Sequence, residues 1–227
     1  MKVDDFLPRS WPELLIAVVA LAFLGAAITF FVTQRADAPP GQSSVDVGFL
    51  HDMITHHEQA ITLSESQIVG GESADVQLFA REILLQQSRE IGLMEAKLAE
   101  WGFLRQNRPD VAMEWMGMSF APQEMPGMAS KDELRALQDA VGEDNDALFL
   151  ALMGDHHRGG VDMASSAAVA AGDSWVRDLA ARMERNQAIE IDEMDAVRQR
   201  LGLPADPTGF ESGPFPAMAG MSELNDG

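Results

Sequence analysis

The chain contains no cysteine. Disulfides, thiolate metal sites, cysteine nucleophiles and a lipidated N-terminal cysteine are excluded together. Tyrosine is also absent, and basic residues are scarce: 16 Lys and Arg stand against 36 Asp and Glu, for a net charge of −20. With no Lys/Arg cluster to meet a phosphate backbone, nucleic acid is excluded as a partner. An acidic surface favours solubility and attracts cations weakly, without selectivity. Hydrophobic residues make up 46%, enough for one sizeable core in 227 residues. Histidine is rationed to five residues, and all five fall in two phrases, FLHDMITHHEQAI (49–61) and FLALMGDHHRGGV (149–161). Methionine, at 14 residues, is plentiful.

The run LLIAVVALAFLGAAITFFV, residues 14–32, carries no charge. As a helix it would cover roughly 28 Å, close to the hydrocarbon thickness of a bilayer. Trp11 suits an interfacial anchor, and Lys2 and Arg9 favour a cytoplasmic N-terminus over residues 1–13. The rival reading is a cleaved signal peptide ending at ADA (36–38), with Pro39 unfavourable to cleavage. Either reading exports the remainder across a cell membrane, behind a linker at 33–44.

Comparing each residue with the one 100 positions later reveals a duplication. Asp46, Phe49, Leu50, Met53, His56, His57, Ser66, Val69, Val76, Ala80, Gln87, Glu90, Ile91, Met94, Ala96 and Gly102 all recur. These are sixteen gapless identities over the 57 positions 46–102, against about four expected at average composition. Each copy reads as a helical hairpin, 45–102 and 145–202, with Ser73 and Asp173 as N-caps and Gly202 as a stop signal. No alternating strand pattern competes. The expected fold is all-α, a four-helix bundle over 45–202 built from two hairpins about a pseudo-twofold axis, plus one N-terminal transmembrane helix. The methionine-rich connection 103–144 reads as an ordered or half-ordered loop followed by a short helix from about 131. The glycine- and proline-rich tail, 203–227, reads as mobile.

Leu50, Met53, His57, Ala60 and Ser64 share one helical face, and His56 joins Phe49, Met53 and Leu63 on the neighbouring stripe. His156 and His157 repeat this placement. On the second helix Glu90 sits on a face with Gln87, Ile91 and Met94, as Glu190 does with Gln187, Ile191 and Met194. A buried carboxylate needs a partner, so Glu90 is expected to meet His56, His57 or a metal. His51 has Ala151 as its counterpart and falls outside the duplicated set. The bland alternative is a structural polar layer in which His and Glu hydrogen-bond across the bundle.

Thioether and imidazole together favour copper, Cu(I) in particular. Calcium wants oxygen ligands, a di-iron bundle wants Glu-x-x-His on two helices, and zinc would leave the methionines unexplained. Copper therefore accounts for the most residues, ahead of zinc and iron. The candidate metal ligands are His56, His57, His156, His157, Met53, Met153, Met94 and Met194, with Glu90 and Glu190 as orienting partners or occasional ligands. No catalytic residue is assigned.

FLHDMITHHEQAI, QQSREIGLM, FLALMGDHHRGGVDMA and NQAIEIDEM resemble the bacterial domain-of-unknown-function family numbered 305 over about 45–202. The resemblance implies a ferritin-like bundle and, from some members, copper binding or tolerance in the cell envelope. Its motif maps onto Met53, His56, His57, Gln87, Glu90 and Met94 and their counterparts at 153–194. Asp155 stands where Thr55 precedes His56, so the two halves need not be equivalent. The expected function is sequestration of copper or its delivery to a membrane metalloenzyme such as an oxidase. The alternatives are an accessory module docked on a membrane complex, for example a respiratory one, and a metal-dependent redox enzyme.

Overall fold

The structure is a computed structural model that describes residues 10–36 and 39–205. Contacts divide the chain at Pro39. In the first unit α1 (Trp11–Ala36) is a 26-residue helix. Its apolar side chains stand exposed, among them Leu15, Ile16, Leu21 and Phe23. Among the described residues no helix is long and apolar enough to cross a membrane. Residues 31 and 32, the end of the 14–32 run, have side chains outside that description, as do residues 1–9 of the expected cytoplasmic segment. The 206–227 part of the expected tail also lies outside the described residues.

The second unit is all-helical, with no named strand among the described residues. Its helices are α2 (Val45–Gly70), α3 (Ala74–Glu100), α4 (Lys131–Asp139), α5 (Glu143–Ala170) and α6 (Ser174–Leu201). Local chemistry sets their ends. Ser44 Oγ accepts from Val47 N, Ser73 Oγ from Val76 N, and Asp173 from Trp175 N and Val176 N, each capping a helix start. Ser130 and Glu133 form a reciprocal capping box at the start of α4. Gly202, at φ +70°, closes α6 in the left-handed conformation that glycine reaches without strain.

α2 and α5 form the central pair, with α3 packed on α2 and α6 on α5. α2 and α5 run antiparallel. Asp46, at the start of α2, accepts from Gly172 N and Asp173 N beyond the end of α5. Asp146, at the start of α5, accepts from Gln67 Nε2, Glu72 N and Ser73 N around the end of α2. Each hairpin thus has its turn completed by a carboxylate from the other hairpin.

Side chains of α2 strap down the connection 103–130. Asp52 Oδ2 accepts from Met113 N at 2.7 Å and Trp115 Nε1 at 2.8 Å. Gln59 exchanges two hydrogen bonds with the backbone of Ala129. Met113 and Met125 are buried in consequence. Glycine makes the close approach possible: a Cβ at Gly159 would collide with the carbonyl oxygen of Pro126. Both central helices are therefore buried around most of their circumference. That is why polar residues such as Asp52 and Gln59 are not on a solvated face.

Candidate metal centre

Two apolar clusters make the core. One holds Phe49, Met53 and Ile54 of α2, Ile91 and Met94 of α3, Met163 of α5 and Met183 of α6. The other holds Ala60 and Leu63 of α2, Ile83 of α3, Phe149 and Met153 of α5 and Met194 of α6. On every helix the changeover falls at the polar residues: His56–His57, Gln87–Glu90, His156–His157 and Gln187–Glu190. A polar layer therefore divides the core at mid-height, with methionines in both apolar halves.

His57 Nε2 lies 2.9 Å from Glu90 Oε2, and His157 Nε2 lies 2.7 Å from Glu190 Oε2. His156 Nε2 lies 2.8 Å from the carbonyl oxygen of His56. The rings of His56 and His156 stack, with centroids 3.6 Å apart. Of the two histidines open to Glu90, the structure places His57 against it. With the carboxylates and the carbonyl accepting, His57, His157 and His156 each donate from Nε2, which leaves Nδ1 outside those bonds. These three Nδ1 atoms are buried without a hydrogen-bond partner, as are both nitrogens of His56.

Burial, reinforced by the neighbouring imidazoles, holds His56 and His156 well below the usual histidine range. Both rings therefore stay neutral, each keeping one N–H and one lone-pair nitrogen able to ligate a metal. A histidine whose Nε2–H is held by a carboxylate while Nδ1 stays free is the arrangement in which imidazoles ligate metals. The donor set fits copper in chemistry. Its geometry is unconverged: among the described residues no group of three or more His, Asp or Glu is placed to hold an ion.

The layer carries a stability prediction. A histidine held below its ordinary value takes up a proton on unfolding, so its contribution is complete above about pH 6.5 and is lost as pH falls below that. His51 is lowered as well, by burial and then by Arg108. Each such ring gives a slope of roughly 1.4 kcal/mol per pH unit. Asp52, pushed up to about 6 by burial, acts in the opposite direction below that pH and offsets about one ring. Urea midpoints measured from pH 7.5 to 5 should be flat at first and then fall by the equivalent of about 2–4 kcal/mol per unit. Constant stability down to pH 5 would refute the neutral, buried assignment.

Three features take a place in the structure that the spacing did not assign them. Asp46 and Asp146 recur in the duplication, and that recurrence is the signal that could have marked them as more than helix-start residues. Gln187 is buried with both side-chain polar atoms unpartnered, and Gln87 with its carbonyl oxygen unpartnered. His51, set aside for lack of a counterpart, is buried edge-on to Phe103 with neither nitrogen paired.

Paired antiparallel helical hairpins with a histidine–glutamate layer at their crossing define the class of protein. Residues 46–198 match the family described as a domain of unknown function, DUF305, and the chain belongs to that family. A protein of this family from Streptomyces coelicolor, described as secreted, is 31% identical with a TM-score of 0.68, over 73% of this chain and 99% of its own. A DUF305 fragment from Deinococcus radiodurans is 29% identical with a TM-score of 0.59, over 69% and 96%. CopM in its Cu(I)-bound form is 27% identical with a TM-score of 0.53, over 69% and 96%. CopM also has Cu(II)-bound and silver-bound structures. No curated protein matches the chain.

Proposed function

We propose that this protein is a membrane-anchored, extracytoplasmic copper-binding protein of ferritin-like bundle architecture. It sequesters the ion or hands it on, and it catalyses no reaction. The observation that carries this reading is the set of five unpartnered nitrogens on four buried histidines. Leaving so many buried polar atoms unsatisfied is costly unless a ligand satisfies them. The proposed ligands are His56, His57, His156 and His157, with Met53, Met153, Met94 and Met194 as thioether donors and Glu90 and Glu190 orienting two of the rings. The copper- and silver-bound forms of CopM support a soft, monovalent-tolerant site. The exposed apolar surface of α1 supports the anchor. The acceptor of the ion would be a membrane metalloenzyme, for example in a respiratory complex.

The full chain in detergent, titrated with Cu(I) against a colorimetric chelator, should take up at least one ion tightly, and Ag(I) should compete. No uptake of copper in either oxidation state would sink the reading.

One observation favours a second reading. Two histidines already meet carboxylates, a third meets a carbonyl, and the donors do not converge. On this reading the layer is structural and fixes the register of the hairpins. It predicts an unfolding midpoint unmoved by excess copper, whereas tight binding to the native state raises it.

A further inference from the structure

α3 packs on α2, α6 on α5 and α2 on α5, while α3 and α6 are joined by ion pairs near their ends, Asp75 with Arg200 at 2.7 Å and Lys97 with Asp173 at 3.5 Å. Between them lies a cleft of about 660 Å³. The connection covers another part of the central pair, through the straps to Asp52 and Gln59. All four histidines of the layer are wholly buried. The carboxylates bonded to two of them are not: the side chains of Glu90 and Glu190 are 9% and 14% exposed, and both line the cleft. Solvent thus touches the histidine–glutamate layer through these two glutamates. Glu82 and Glu193 also line the cleft, so four carboxylates outnumber its two cations, Arg89 and Arg182. A low-dielectric cleft with an excess of one charge concentrates ions of the other sign.

We propose that the α3–α6 cleft is the route by which a metal cation reaches the buried imidazoles, and that Glu90 and Glu190 are its inner carboxylate station. The inference rests on the copper reading above and adds the path and its gatekeepers. A cation entering the cleft sheds water onto the open carboxylate oxygens before it meets nitrogen. The same carboxylates hold His57 and His157 by their Nε2–H groups, so the station and the ring-orienting device are one pair of side chains. An ion held by the outer oxygen of Glu90 is thereby brought next to the ring that the same carboxylate orients. Equivalent positions in the two copies place both glutamates on facing walls, so either half of the layer can be loaded from one opening.

The test uses the full chain and Cu(I) released from a weak chelator, followed by stopped flow. Gln86 and Asn186 line opposite walls of the cleft and bond to none of the layer residues. Q86W/N186W should therefore obstruct the opening without removing a ligand. It is expected to slow association at least about tenfold, with equilibrium affinity and stoichiometry retained. The charge-only variant E82Q/E193Q, which adds no volume, should slow association several-fold at low salt and flatten its dependence on ionic strength. Circular dichroism and melting confirm that each variant is folded. Association unchanged in both variants overturns the route while leaving the copper reading intact. Failure of the unaltered chain to bind copper overturns the reading and the route together.

Discussion

The double variant His56→Ala/His57→Ala is expected to weaken Cu(I) binding by more than about 100-fold, measured by chelator competition on the full chain. The comparison that sets this scale is the loss of an orienting partner alone, which costs about 10–100-fold in metal sites. This variant removes donors outright: the one lone-pair nitrogen that neutral His56 offers and the unpartnered Nδ1 of His57. It also strips Glu90, 7% exposed, of its imidazole partner. Two large side chains leave the middle of the core, so stability should fall by a few kcal/mol, and the titration belongs well below the variant's melting temperature. Glu90→Gln separates the roles. It keeps the shape of the side chain and removes the anionic acceptor, so affinity should drop within the 10–100-fold range while the fold persists. If the double alanine binds copper as the unaltered chain does, the histidine layer is not the site. The methionines of the connection would then become the donors to examine.

Asp146→Ala is expected to cost about 3–5 kcal/mol of folding stability by urea denaturation, a loss reserved for broken buried networks. The carboxylate is 3% exposed and accepts from Gln67 Nε2 at 2.6 Å, Ser73 N at 2.8 Å and Glu72 N at 3.3 Å. Alanine leaves the Gln67 amide and two turn amides without their acceptor, and charge-assisted bonds are the stronger kind. Asp46→Ala should cost less, because its two acceptor bonds, to Asp173 N and Gly172 N, lack a side-chain donor equivalent to Gln67. The two aspartates sit at opposite ends of the central pair, so their effects should add. A cost below about 1 kcal/mol for Asp146→Ala would show that water replaces the carboxylate in the turn.

Much of the bundle and part of its polar layer were readable from the residues. Helical periodicity, capping residues and the offset of 100 were enough for two hairpins, because each of these signals is local or self-referential. The Glu90–His57 pair was within reach because a carboxylate between Gln87, Ile91 and Met94 has to find a partner. Which histidine it takes was not, since that depends on how the hairpin's two helices rotate against each other. The stacking of His56 on His156 depends on where the two hairpins cross, and no one-dimensional spacing encodes a crossing point. The α3–α6 cleft was invisible for the same reason, being a gap left between segments roughly 100 residues apart that meet near their ends. Asp52 and Gln59 look like solvent-facing residues of an amphipathic helix until 103–130 lies over them. An irregular, glycine-punctuated segment carries no period from which to place it. The same covering explains why His51, without a counterpart, is nonetheless buried.

The reciprocal aspartates bear on the order in which the chain acquires structure during synthesis. The turn after α2 is complete as soon as residue 73 is made, yet its acceptor, Asp146, emerges more than seventy residues later. The second turn looks back across 127 positions to Asp46. Until Asp146 is made, only water can serve the turn amides of the first hairpin, whereas the acceptor of the second turn, Asp46, is already in the chain. The two copies are thus cross-tied, each holding the other's turn through one carboxylate.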